Sequence, residues 1–134
     1  GPLGSTVNLA SRVEGATKYF KSPMLITGQT RQQLGGEFRG RRIRKVKVVN
    51  IDTPIDLYEV WLGEDPAREH ATQTYENALE QLERGEFRDA SRTVADLMRL
   101  QEPEGPALVL AAQALQFATN PDLKFTPEWT LPGK

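Results

Sequence analysis

Apolar residues open the chain at helical spacing. Leu9, Val13, Ala16 and Phe20 are separated by four, three and four positions, which predicts a helix over 7–20 with these residues on one face. Glu14 and Lys18 form an i,i+4 pair on a different face. The helix is expected to stop near Lys21, with Pro23 two residues on. Met24-Leu25-Ile26 is a short apolar run suited to a buried strand. Thr27 then offers an N-cap for a short helix to about Leu34, where Gly35-Gly36 breaks it. From Phe38 to Val49 the pattern turns extended, with Val46 and Val48 alternating against Lys45 and Lys47. Asn50 to Pro54 is turn chemistry and Ile55 to Leu62 the returning strand, so the two predict a long β-hairpin.

The second half is helical. Gly63-Glu64-Asp65-Pro66 marks a boundary, with Asp65 as helix cap and Pro66 at the first helical position. Ala71, Tyr75, Ala78 and Leu82 line one face of the first helix, and Gly85 ends it. Phe87, Ala90, Val94 and Leu97 line the next, which should end before Pro103. A third helix runs from near Pro106 to about Phe117, with Leu108, Ala111, Ala112 and Leu115 apolar. The tail, 120–134, holds Phe125, Trp129 and three prolines, and reads as extended, with Trp129 either docked on the helices or free.

Composition narrows the chemistry. At 134 residues and 38% hydrophobic, the chain can bury a modest core. A net charge of −1 gives no global push toward nucleic acid or anionic membranes. Cysteine is absent, which excludes disulfides, thiolate metal sites and cysteine nucleophiles; the lone His70 leaves no histidine cluster. No apolar run reaches membrane-spanning length, so a soluble, cytoplasmic fragment without direct membrane contact is expected, and a longer parent could still carry an anchor. The first five residues, Gly1-Pro2-Leu3-Gly4-Ser5, have the composition of an affinity-tag remnant and are set outside the fold. Arg39, Arg41, Arg42, Arg44, Lys45 and Lys47 make a dense positive run, read as a solvated edge strand whose charges discourage edge pairing. A triphosphate- or partner-facing surface is the alternative, and nucleic acid is disfavoured because no interleaved aromatics offer base stacking.

The candidate site lies in the first helix. Asn8 and Arg12 are one turn apart on one face, and a guanidinium there can bind phosphate oxygens bidentately. On these residues alone, a cap and a solvated arginine remain the plainer reading. The segment Thr6-Val7-Asn8-Leu9-Ala10-Ser11-Arg12-Val13-Glu14 resembles the helix-opening motif of class III nucleotide (adenylate/guanylate) cyclases. The resemblance runs on through Pro23-Met24-Leu25-Ile26-Thr27 and Ile55-Asp56-Leu57-Tyr58-Glu59-Val60, a little under half of the chain. It implies an α+β fold: the C-terminal part of a ferredoxin-like cyclase domain over 6–62, with a linker at 63–66. It also implies that Asn8 orients the ribose of a nucleoside triphosphate, and that Arg12 stabilises the transition state as the 3′-hydroxyl attacks the α-phosphate and pyrophosphate leaves. The product would be a 3′,5′-cyclic nucleotide serving signal transduction, with ATP the expected substrate.

The same resemblance implies parts that these residues do not supply. Two metal-holding aspartates on early strands, which bind Mg or Mn in the family, and the base-selecting residues belong upstream of Thr6. The fragment alone is therefore expected to be inactive, and its parent to be a homodimer with a site shared between chains. The family's phosphate-binding Lys in the hairpin turn falls on Ile51 or Asp52, and Lys47, four positions away along a strand, stands more than about 10 Å off. That departure supports a second reading, a non-catalytic interaction or dimerisation module built on a degenerate cyclase remnant. Over 67–119, Ala78, Gly85, Phe87, Ala90, Val94, Leu97 and Pro103 resemble part of a tetratricopeptide repeat. A helical extension of this shape is similar to those following the catalytic domain in some bacterial cyclases, and implies a protein partner or dimer support. The Leu9–Val13–Phe20 face is expected to be covered by self-association or by the helical extension.

Overall fold

The computed structural model describes residues 2–102 and 104–131, with side chains from Leu9 onward. Among these residues there are five α-helices and a four-stranded mixed sheet. The chain divides into two compact units. One comprises the residues up to Leu62 together with the segment from Glu128; the other is Gly63–Pro127.

In the first unit, α1 spans Pro2–Phe20. It begins earlier than the apolar spacing predicts and takes in residues read as a tag remnant. Proline fits the first helical position, and adding residues to a helix already nucleated is cheap. Ala16 and Phe20 on its apolar face are fully buried, while Leu9 and Val13 are half-buried. The helix ends in a Schellman motif: Lys21 takes φ 53°, and the Ser22 N–H donates to the Thr17 carbonyl at 3.1 Å. Strand β1 (Leu25–Thr27) follows, and Thr27 caps α2 (Gly28–Leu34) by accepting from the Thr30 N–H at 3.3 Å. A 3₁₀ turn over Gly35–Glu37 leads to β2 (Gly40–Lys47), which pairs antiparallel with β3 (Ile55–Val60). The turn between them closes with the Ile51 N–H on the Val48 carbonyl at 3.1 Å, with Asn50 at φ 71°.

The sheet order is β1-β3-β2-β4, where β4 (Trp129–Thr130) runs parallel to β2. This corrects the reading of the basic run as a solvated edge strand: β2 is interior, and Arg41 and Arg44 are buried. Two features that periodicity does not register produce the difference. Arg42 pairs with Tyr58 but Arg44 with Leu57, so Ile43 is the extra residue of a β-bulge. An extra residue shifts side-chain parity, which places Arg41 before the bulge and Arg44 and Val46 after it on the same face as Leu57 and Glu59. The second feature is the tail. The Leu131 N–H donates to the Lys47 carbonyl at 3.0 Å, and the Trp129 ring stacks on Tyr19 at 4.0 Å and meets Phe20 edge-on at 5.4 Å. The tail residue Trp129 thus packs over the buried Phe20 of α1.

The second unit contains α3 (Pro66–Glu83), α4 (Phe87–Leu100) and α5 (Gly105–Thr119). Asp65 caps α3 by accepting from the Arg68 N–H at 3.2 Å, and Gly85 turns the chain at φ 81°. Ala71, Tyr75, Ala78, Leu79 and Leu82 of α3 and Ala90, Val94 and Leu97 of α4 form the core. Pro103, expected beyond the end of α4, lies outside the described residues. On α5 the packing face is Pro106, Ala107, Leu110 and Ala114, while Leu108, Ala112 and Leu115 point outward. The helix is apolar nearly all round, so its sequence does not distinguish the packed face from the outer one.

Candidate functional site

Helix α1 carries both predicted site residues. Arg12 is half-buried on it; Asn8 lies on the same helix one turn earlier, with its side chain outside the described residues. Next to Asn8, Leu9 enters the wall of a cavity of about 240 Å³ whose other walls are Thr27, Gly28 and Gln29 at the start of α2 and Pro54, Ile55 and Asp56 at the start of β3. The cavity thus lies between α1 and the starts of α2 and β3. Arg12 is not among the residues lining the cavity.

The charges around the cavity are arranged on the sheet. Asp56 forms an ion pair with Arg42 at 3.5 Å, a diagonal cross-strand contact, since Arg42 stands opposite Tyr58 and Asp56 opposite Lys45. On the same face the Arg31 guanidinium of α2 lies over the Phe38 ring at 4.7 Å and the Tyr58 ring at 5.7 Å. Asp52, one of the two turn positions where the family places Lys, is exposed, and Lys47 is exposed at the end of β2. The cavity is smaller than the roughly 300–1,000 Å³ of sites that enclose drug-sized ligands. Asp56 in its wall disfavours a triphosphate there except where Arg42 offsets the charge.

The other face of the sheet holds a network that the sequence reading missed. Glu59, opposite Arg41 in the register, accepts from the Arg41 Nε–H at 3.0 Å, and both side chains are about 95% buried. Its second oxygen accepts the Ser22 hydroxyl, tying the end of α1 to β3. The available signal was Glu59 between Tyr58 and Val60 in a strand, at the parity of the core residue Leu57. Arg41 gave no comparable signal, because its parity depends on the bulge at Ile43. This network is structural: a paired, hydrogen-bonded carboxylate inside the fold.

Among the described residues, no group of three or more His, Asp or Glu side chains converges to hold a metal ion. The resemblance places the metal-holding aspartates upstream of Thr6, and no chemical step is derived through a metal here. No helix among the described residues is long and apolar enough to cross a membrane. No protein-family profile, curated protein or solved structure matches this chain.

Proposed function

We propose that this chain is the C-terminal part of a class III nucleotide cyclase domain, ferredoxin-like in its complete form, followed by a tetratricopeptide-like helical extension. The parent enzyme converts a nucleoside triphosphate, ATP by preference, into a 3′,5′-cyclic nucleotide and pyrophosphate. Asn8 orients the ribose, and Arg12 spreads positive charge over the α-phosphate oxygens as negative charge builds on them. One observation carries the reading: the segment Thr6–Glu14 lies on a helix, with Asn8 and Arg12 a turn apart, and is followed by β1, α2 and the β2–β3 pair in the expected order. The carboxylates that hold the metals belong to residues of the parent upstream of this chain, so the chain by itself is inactive. Joining it to those residues and supplying ATP with manganese should yield cyclic nucleotide, identified by mass spectrometry, whereas the chain alone should yield none.

A second reading rests on the turn. Ile51 and Asp52 stand where the family has a phosphate-binding Lys, and an exposed carboxylate repels a triphosphate. On that reading the protein is a non-catalytic module that recruits a partner through its helical unit. A restored-length protein that dimerises but makes no cyclic nucleotide would decide for it.

A further inference from the structure

We propose that the outer face of the sheet holds the β- and γ-phosphates of a nucleoside triphosphate, through Arg31, Arg42 and Lys45. The inference rests on the cyclase reading for the nucleoside, and on the face itself for the phosphates. The bulge at Ile43 builds this face. Arg42 and Lys45 are three residues apart, a spacing that puts two side chains on opposite faces of a regular strand. With the extra residue between them, Arg42 stands opposite Tyr58 and Lys45 opposite Asp56, so both share the face of Tyr58 and Asp56. Arg41 and Arg44 take the buried face instead. A third cation comes from α2, whose Arg31 lies over the Phe38 and Tyr58 rings. All three cations are half-buried, and they share this face with the carboxylate of Asp56.

The arrangement favours an anion with several oxygens. Stacking uses the flat face of the Arg31 guanidinium and holds its N–H edge in place before a ligand arrives. Arg42 meets Asp56 at 3.5 Å, longer than the roughly 2.7–2.9 Å of a tight charge-assisted hydrogen bond, so a phosphate can compete for it. Three like charges on one half-buried face repel one another, and a polyphosphate relieves that repulsion. Asp56 opposes the phosphates but offsets only one of the three cations. Position ties the face to the candidate site. Asp56 lines the cavity that Leu9 enters, as do Gly28 and Gln29 of α2, within one turn of Arg31. A nucleotide whose ribose lies beside Asn8 can thus lead its phosphates onto this face. The three cations then supply the charge that Ile51 and Asp52 in the turn do not.

The test is an NMR titration of the full chain with sodium tripolyphosphate, without added metal. The expected result is saturable shifts at the amides of Arg31, Arg42, Lys45 and Tyr58, with those of the helical unit unmoved. Arg42→Gln and Lys45→Gln should each weaken binding about tenfold or more, the scale of one charge-assisted hydrogen bond. Arg42→Lys should lose less, because it keeps the charge. Asp56→Asn should bind more tightly than the unaltered chain, since it removes the opposing carboxylate and releases Arg42. ATP should shift the same amides and, in addition, those of Leu9 and Val13 on α1. ATP shifts confined to the sheet face would support the phosphate site and count against the cyclase reading, which places the ribose at Asn8. No tripolyphosphate shift at the face would overturn the inference and leave the cyclase reading to its own activity assay. Unchanged affinity in both glutamine variants and in Asp56→Asn would overturn it equally. A thymidine oligonucleotide that binds the face more tightly than ATP would also overturn it, assigning the face to nucleic acid.

Discussion

Glu59 and Gly40 show how closely the first unit depends on single residues. The Glu59 carboxylate accepts from Ser22 and from Arg41 inside the fold, so removing it takes a charged partner from a buried guanidinium. Glu59→Ala should cost about 3–5 kcal/mol in urea unfolding, the range for breaking a buried ion pair from one side. The double variant Arg41→Met/Glu59→Leu should recover most of that loss, because an apolar pair of similar volume needs no desolvation of charge. At Gly40 the constraint is space: a Cβ there would stand 1.8 Å from the Glu59 carbonyl oxygen and 2.8 Å from the Phe38 ring. Gly40→Ala must therefore push β2 away from β3, and should lower stability by about 2 kcal/mol or more in thermal or urea melts.

Helix ends were the elements most legible from sequence, because capping is local chemistry. Thr27, Asp65 and Gly85 each act where their residue types predict. The bulge at Ile43 and the parallel pairing of β4 were not legible. A bulge leaves no periodic trace among five neighbouring cations, and a two-residue strand is too short to form a pattern. The outer face of α5 was hidden for the opposite reason, since every face of it is apolar or neutral. The small β4 is anchored by aromatic contact rather than by length. Trp129→Ala removes the stack on Tyr19 and the edge contact with Phe20, and should speed hydrogen exchange at Val46 and Val48 far more than at Leu79 and Leu82. At the α3–α4 turn, the Arg84 guanidinium donates a hydrogen bond to Glu86 and holds its carboxyl below the usual range. A lowered acid contributes stability above its unfolded value and loses it as pH falls through the folded one. Both groups are exposed to solvent, which screens the pair. Arg84→Ala should therefore leave the acid-unfolding midpoint of the helical unit unchanged, as read by circular dichroism.

Across the whole molecule the balanced total charge conceals a division. The first unit holds eleven Lys and Arg against six Asp and Glu, a net +5, opposite in sign to the helical unit. A net charge of −1 is therefore a poor guide to either unit, and a basic unit is the better match for a substrate that carries phosphates. The functional account rests on Arg12, which is half-buried on α1 and takes its assigned role from the motif around it. The direct measurement is the rate of cyclic nucleotide formation by the restored-length enzyme carrying Arg12→Ala. The account predicts a fall in kcat of about a hundredfold or more with KM little changed, the signature of a contact made in the transition state. An Arg12→Ala enzyme that turns over at the rate of the unaltered protein would contradict it.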